Sequence, residues 1–186
     1  MKKRYAALIF CAIGLLLGSV TSEAKKKPSV TAESAIVMDV QSGAILYEKN
    51  IDKREYPASI TKVMTALVAI ENSSLSETVT YSRNAVTNLE SGASNIEIQP
   101  GEKLSMEDSL YAILLMSANE ACNGVAEHVA GSIDNFVAMM NQKAKELGCT
   151  GTHFANANGL FFFFKQKTAY EMALISQEAY KNPTFA

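Results

Sequence analysis

The sequence predicts one domain of the mixed α/β (α+β) class, in which a β-hairpin precedes a layer of helices. Residues 35–40 and 44–48 are rich in Ile, Val and Tyr and flank Gln41-Ser42-Gly43, a pattern typical of two strands joined by a turn. Much of the later sequence carries apolar residues at helical spacing. A hairpin is rarely stable by itself, so we expect further strands to complete the sheet. With 186 residues, of which 48% are hydrophobic, the chain can form a domain core.

The first half of the domain is predicted to alternate polar connections with short regular elements. Residues 50–58 form a polar connection. A helix is predicted over residues 59–71, because Pro57 favours an extended entry and the residues that follow are largely apolar. We interpret residues 79–81 as a short strand, and residues 82–103 as irregular structure with short helical or strand pieces.

Four further helices are predicted from capping residues and from glycines that stop helices. Ser105, followed three positions later by an acidic residue, is typical of a capping box and precedes a helix that ends near Met116. The next helix stops at Gly131, and a third, over residues 133–147, ends at Gly148. The remaining predicted elements are a turn at residues 156–159 and a final helix over residues 168–181.

Residues 1–24 are predicted to be a secretory signal peptide. A basic start precedes an apolar stretch over residues 5–20, and the small residues Ser22 and Ala24 stand where signal peptidase reads the chain. The alternative is a membrane anchor, but the apolar stretch is short for a span of about 20 residues. Cleavage after Ala24 would leave a polar leader over residues 25–33 and place the protein in the cell envelope, across the cytoplasmic membrane.

Composition argues against several kinds of partner. The net charge is −2, which argues against nucleic acid. After signal cleavage the chain keeps Cys122 and Cys149, too few for a disulfide framework. His128 and His153 make no cluster of metal ligands with other residues. We therefore expect no metal and no cofactor.

Two short motifs carry the chemistry. Ser59-x-x-Lys62 places a hydroxyl and an amine one turn apart on one helix face, where the amine can take the hydroxyl proton and activate a nucleophile. Ser117-x-Asn119 supplies a second hydroxyl and an amide that can relay protons and hold a substrate carbonyl. Each motif alone has an ordinary explanation. The first can be a helix N-cap followed by a solvated lysine, and the second can be a cap of the next helix. Their order and their positions at helix boundaries favour a catalytic site.

The two motifs and their surroundings resemble the low-molecular-weight penicillin-binding proteins, which are serine D-alanyl-D-alanine carboxypeptidases (peptidase family S11). The resemblance implies a β-lactamase/transpeptidase-like fold, an antiparallel sheet sandwiched by helices. It makes residues 34–186 a partial catalytic domain, with the hairpin and the helical subdomain present. The matching segments are 35–39, 41–43, 44–49, 56–62, 64–67, 99–102, 104–108, 116–122, 153–154, 156, 158–160 and 168–175.

The resemblance also implies a role for each motif residue: Ser59 is the nucleophile, Lys62 the general base, Ser117 the proton relay, and Asn119 the group that orients Lys62 and the substrate. The implied partners are a peptidoglycan stem peptide ending in D-Ala-D-Ala and β-lactams, which act as covalent inhibitors. The third family motif, Lys-Thr-Gly on a strand, is missing, and Lys167-Thr168-Ala169 is no substitute because it falls in a predicted helical stretch. We expect this chain to be inactive or nearly so. The missing C-terminal region would supply the remaining strands and any membrane attachment.

One segment departs from the family pattern. Residues 161–164 are four phenylalanines, followed by Lys165-Gln166-Lys167, where the family has a short polar stretch that contains histidine. The resemblance resumes at Thr168. One of the DNA sequences that would encode residues 165–171 looks like the adapter of a sequencing library. We interpret residues 161–167 as an artefact of gene assembly. Reading the gene again from source DNA would test this interpretation.

Two other functions fit parts of the pattern. A class A-like β-lactamase shares both motifs, but such an enzyme needs a later glutamate to activate the deacylating water. Residues 148–160 contain no glutamate. A non-catalytic envelope protein that only binds peptidoglycan would not need both motifs intact. Release of D-alanine that is lost in Ser59→Ala would separate an enzyme from a binding protein.

Overall fold

The computed structural model describes residues 28–87, 89–160 and 167–186. The chain divides into two compact units, of which the first ends at Thr31 and the second runs from Ala32 to Ala186. The predicted signal peptide, residues 25–27 of the predicted leader and residues 161–166 lie outside the described residues.

The second unit begins with the predicted β-hairpin. Strands β1 (Ala35–Met38) and β2 (Ile45–Lys49) pair in the antiparallel sense. The Asp39 carboxylate accepts hydrogen bonds from the backbone N–H and the hydroxyl of Ser42, which fixes the turn. Gly43 has φ +73°, a conformation that glycine adopts at little cost. The predicted hairpin is confirmed.

Two shorter strand pairs bring distant parts of the chain together. Strand β3 (Arg54–Glu55) pairs with β6 (Lys167–Thr168), and β4 (Thr78–Thr80) pairs with β5 (Lys103–Ser105), both antiparallel. The short strand predicted near residue 79 is confirmed, whereas β3 lies in a stretch predicted to be a connection. Pairing with a partner more than a hundred residues away leaves no local pattern to read.

The structure corrects the expected placement of Lys167-Thr168-Ala169 in a helical stretch. Lys167 and Thr168 are extended and form β6, and the last helix begins only at Ala169. Thr168 is the N-cap of that helix, and its hydroxyl oxygen accepts a hydrogen bond from the N–H of Glu171 at 3.1 Å. An N-cap residue normally has β-region backbone angles, so the cap itself ends the strand.

The helices follow the predicted boundaries closely. Ser105 caps its helix, because its hydroxyl oxygen accepts a hydrogen bond from the N–H of Asp108. In a capping box the Asp108 carboxylate would accept from the backbone N–H of Ser105. Here the carboxylate accepts from the Ser105 hydroxyl instead. No helix among the described residues is long and apolar enough to cross a membrane. The α-helices are α1 (Thr61–Asn72), α2 (Arg83–Thr87), α3 (Met106–Leu115), α4 (Asn119–Ala130), α5 (Ile133–Glu146) and α6 (Ala169–Lys181).

Helix α1 lies in the core, with most of its residues buried. Met64 and Leu67 are fully buried, and Tyr81 and Phe136 belong to the same apolar cluster. Tyr81 packs against α4 at Gly124, where any Cβ would overlap its ring. Burial on this scale stabilises by about 25 cal/mol for each Å² of apolar surface removed from water. The N-terminus of α1, which carries the first motif, is therefore held on a packed element.

Candidate active site

Ser59 lies in a short 3₁₀ turn (Ala58–Ile60) that leads directly into α1. Its side chain is exposed, and the first turn of a helix leaves N–H groups without an intrahelical acceptor. Ala58 before it has φ +47°, which is unfavourable for a residue with a Cβ. Strained backbone of this kind is common at functional sites. The turn thus presents a hydroxyl at the surface, and the N–H groups of Ile60 and Thr61 that follow it donate to the carbonyls of Pro57 and Ala58.

Lys62 is only 3% exposed and has three acceptors around its amine. Its Nζ donates to Asn119 Oδ1 at 2.9 Å and to the Asn158 carbonyl oxygen at 2.8 Å. A longer contact of 3.4 Å joins Nζ to Ser59 Oγ. Two strong partners fix the amine in place, and the third contact directs it at the exposed hydroxyl.

The second motif meets the first from the junction between α3 and α4. Ser117, with φ +56°, links the two helices, and its hydroxyl donates to Ser59 Oγ at 3.0 Å. Asn119 is the first residue of α4 and is 2% exposed. Its side-chain Nδ2 and its backbone N–H donate to the Ser94 carbonyl at 2.7 and 2.9 Å, which turns Oδ1 towards Lys62. The structure therefore brings together all four residues singled out from the sequence.

The electrostatic surroundings of Lys62 act in two directions. Burial lowers the pKa of its ammonium group below the ordinary value, because a charge is costly away from water. Cys122 and Glu120 oppose this effect. Burial raises the pKa of the Cys122 thiol to about 12, so the thiol is uncharged near neutral pH and Glu120 supplies the opposing negative charge. Lys62 is thus easier to deprotonate than a surface lysine, as a general base requires.

A tight turn after α5 supplies one of the acceptors of Lys62. The N–H of Gly159 donates to Asn156 Oδ1 at 2.8 Å, and the N–H of Leu160 donates to Asn158 Oδ1 at 2.9 Å. Gly159 has φ +82°, and a Cβ at this position would overlap the carbonyl oxygen of Ala58. The turn and the backbone that leads into α1 therefore approach more closely than any residue other than glycine would allow.

The arrangement places the amine of Lys62 and the hydroxyl of Ser117 around the hydroxyl of Ser59. Among residues 28–87, 89–160 and 167–186, no group of three His, Cys, Asp or Glu side chains could hold a metal ion. The amine of Lys62 can take the proton of Ser59, and the Ser117 hydroxyl can pass a proton on the other side of the nucleophile. An arrangement of this kind is suited to nucleophilic catalysis by a serine hydroxyl.

Comparison with known proteins identifies the family. A sequence-family model described as D-alanyl-D-alanine carboxypeptidase (Peptidase_S11) matches residues 21–185. The chain belongs to this family. It is 35% identical over 190 residues to the D-alanyl-D-alanine carboxypeptidase DacF of Bacillus subtilis (strain 168), with 96% of this chain and 48% of that protein covered. The chain thus spans about half the length of that curated relative.

Solved structures of the carboxypeptidase family confirm the predicted fold class, that of penicillin-binding proteins and transpeptidases. The D-alanyl-D-alanine carboxypeptidase from Mycobacterium tuberculosis H37Rv matches with a TM-score of 0.80 at 34% identity, over 89% of this chain and 62% of the other. Penicillin binding protein 5 from Haemophilus influenzae matches with a TM-score of 0.79 at 30% identity, over 86% and 48%. The described elements therefore form part of a carboxypeptidase fold.

Sequence reasoning missed two acceptors in this carboxypeptidase-family site. The carbonyl of Ser94 orients Asn119, and the carbonyl of Asn158 accepts from Lys62. A backbone carbonyl has no residue signature, and Ser94 lies in a stretch predicted only as irregular. The Asn156–Gly159 turn was the available signal for the second acceptor.

Proposed function

We propose that this chain is the acylating part of a serine D,D-carboxypeptidase that removes the terminal D-alanine from peptidoglycan stem peptides. The observation that carries the proposal is the buried amine of Lys62, held 3.4 Å from an exposed Ser59 hydroxyl by Asn119 and Asn158. A buried lysine with a lowered pKa beside a hydroxyl is suited to nucleophile activation. Family membership supplies the substrate class.

In the first half-reaction, Lys62 takes the proton of Ser59 as Oγ attacks the carbonyl carbon of the penultimate D-alanine. The carbonyl becomes an oxyanion, which the N–H of Ser59 in the first turn is placed to stabilise. When the C–N bond breaks, Ser117 delivers a proton to the leaving amine and is reprotonated from Lys62. The products are free D-alanine and an acyl ester on Ser59.

In the second half-reaction, water attacks the ester as Lys62 takes one of its protons. When the ester bond breaks, Lys62 returns that proton to Ser59 Oγ, and the shortened peptide leaves with a new carboxyl group. Asn119 holds Lys62 throughout and offers its amide to the substrate backbone. A β-lactam would acylate Ser59 in the same way through opening of its ring, which makes it a covalent inhibitor. We further propose that residues 1–24 direct the protein across the cytoplasmic membrane into the cell envelope, where peptidoglycan is found.

The test measures two reactions of the purified protein and of its Ser59→Ala variant. A longer protein that contains this chain and a Lys-Thr-Gly motif should release D-alanine from a stem peptide ending in D-Ala-D-Ala and bind a fluorescent penicillin covalently. The 186-residue chain should carry out both reactions slowly or not at all. Ser59→Ala should lose both reactions by about 1,000-fold or more. Because the 186 residues contain no Lys-Thr-Gly, we expect slow labelling in this chain and faster labelling in a longer protein that includes it.

The two alternatives give different results in the same experiment. A β-lactamase would hydrolyse penicillin with rapid turnover and would not release D-alanine. A non-catalytic envelope protein would bind the peptide with the same affinity in wild type and in Ser59→Ala, and neither would be labelled.

A further inference from the structure

Glu120, the residue after Asn119, is 1% exposed and makes one hydrogen bond to its surroundings. Its Oε1 accepts from the backbone N–H of Ile96 at 2.6 Å. Its Oε2 is buried and has no hydrogen-bond partner among the described residues. A glutamine would make the same bond to Ile96 without placing a charge in the core, where an unpaired charge is costly. The hydrogen bond alone therefore does not account for a carboxylate here.

The hydrogen bond of Glu120 belongs to a clamp at the start of α4. Ile96 follows closely on Ser94, whose carbonyl accepts from both the backbone and the side chain of Asn119. Three hydrogen bonds thus join residues 94–96 to two consecutive residues of the helix. Because Ser94 holds Nδ2 of Asn119, the side-chain Oδ1 is turned towards Lys62 and accepts from its Nζ at 2.9 Å.

Glu120 is buried in α4 directly after Asn119, whose Oδ1 accepts from Lys62 Nζ at 2.9 Å, and its charge acts on Lys62. Among the described residues, the side chains whose charge acts on Lys62 are Cys122 and Glu120, both on α4, and the same two act on the buried Tyr81 after β4. Burial raises the pKa of Cys122 and of Tyr81 to about 12 in each case, so both are neutral near pH 7. The carboxylate of Glu120 is left to oppose the effect of burial on the lysine.

We propose that Glu120 is a positioning residue for Lys62, with two separable actions. One carboxylate oxygen clamps residues 94–96, which orient Asn119 towards Lys62. The negative charge stabilises the ammonium form of Lys62 in the resting site and so sets the pH above which the amine can take the proton of Ser59. The effect on the pH at which Lys62 can take the proton of Ser59 rests on the proposed acyl transfer. The clamp and the effect of the charge on Lys62 do not.

Two substitutions separate the two actions. Glu120→Gln keeps an oxygen acceptor for Ile96 and removes the charge. Glu120→Asp keeps the charge and shortens the side chain, which weakens the bond to Ile96. Glu127→Gln, on the same helix but away from Lys62, is the matched control for loss of a carboxylate.

The measurement is an NMR titration of the 186-residue chain labelled with ¹³C at the lysine side chains, with Lys62→Arg used to assign the Lys62 signal. Glu120→Gln should lower the pKa of Lys62, because the carboxylate that favours the ammonium is gone, and should leave Ile96 protected from hydrogen exchange. Glu120→Asp should leave the Lys62 titration near wild type and speed exchange at Ile96 by about tenfold. Glu127→Gln should change neither signal.

Equal Lys62 titrations in wild type and Glu120→Gln would overturn the charge effect, and unchanged exchange at Ile96 in Glu120→Asp would overturn the clamp. If Glu120→Gln fails to fold, Glu120→Asp still tests the clamp and the retained charge. Both readouts are independent of turnover, so they hold or fail separately from the proposed enzyme activity. In protein that is labelled by penicillin, Glu120→Gln should also move the rise of the labelling rate to lower pH.

Discussion

At the residue scale, the amine of Lys62 is subject to opposing forces in a small volume. Three acceptors within 3.4 Å favour the charged form, whereas burial at 3% exposure disfavours it. The pKa of Lys62 is lowered, so burial outweighs the favourable contacts. A lysine that is costly to keep charged is one that gives up its proton readily.

The lowered pKa of Lys62 predicts a pH dependence of stability. The unfolded chain binds the proton up to about pH 10.4, so between the folded and unfolded pKa values the unfolded state holds more protons and wild-type stability rises with pH. Lys62→Met lacks this contribution. We expect the free energy of unfolding of the variant minus that of wild type to fall as pH rises from neutral towards about 10.

Urea unfolding at a series of pH values measures this difference directly. Lys145→Met, at an exposed lysine of α5, is the control over the same pH range. A difference between Lys62→Met and wild type that stays constant with pH would contradict the prediction.

The side chains of the site could be predicted from the sequence, and its backbone groups could not. Ser59, Lys62 and Asn119 stand in motifs whose spacing limits them to one helix face or one helix start. Ser94 and Asn158 contribute carbonyl oxygens, which every residue type possesses. Only the folded path of the chain decides which carbonyl reaches the site.

At the scale of elements, the turn that contains Gly159 and the N-terminus of α1 depend on each other. The turn places the Asn158 carbonyl on Lys62, and its approach to Ala58 leaves no room for a side chain at Gly159. Thr65 in α1 adds a second link, because its hydroxyl donates to the Ala157 carbonyl at 2.5 Å. A displacement of the turn would therefore move an acceptor of Lys62 and the backbone before Ser59 together.

Gly159→Ala should destabilise the fold and slow acylation. The added methyl group overlaps the Ala58 carbonyl and the backbone has φ +82°, so we expect a loss of about 2–4 kcal/mol from strain and overpacking combined. Gly148→Ala is the matched control, since Gly148 has φ +78° but open space around its Cβ position. Its cost should be about 1 kcal/mol. Urea unfolding and the rate of penicillin labelling measure the two effects, and equal losses in both variants would refute the steric argument.

Local signals located most elements, and long-range pairing escaped them. Capping at Ser105 and the glycine stop at Gly131 act within one turn of a helix, so the sequence carries them directly. Strands β3 and β6 are two residues each and pair across more than a hundred positions. Neither strand is long enough to show an alternation of apolar and polar residues. The capping residue Thr168 indicates the start of a helix but gives no sign of the strand before it.

At the scale of the whole molecule, the β-hairpin carries large apolar side chains that are exposed. Among the described residues each sheet has two strands, so every strand keeps an edge that no other described strand covers. The register of the hairpin shifts between Val37 and Met38, which leaves Leu46 as an extra residue on β2. Leu46 is 69% exposed and Val37 is 51% exposed. Exposed apolar residues beside a free edge promote pairing between copies of a chain.

Leu46→Glu should therefore reduce self-association of the 186-residue chain without loss of stability. The side chain of Leu46 faces solvent, so replacing it should change the free energy of unfolding by no more than about 0.5 kcal/mol. Gln41→Glu adds the same charge in the adjacent exposed turn and removes no large apolar side chain, which makes it the control for charge alone. Light scattering against protein concentration gives the readout. Equal improvement in both variants would assign the effect to net charge, and a clear fall in stability of Leu46→Glu would show that Leu46 packs in the fold.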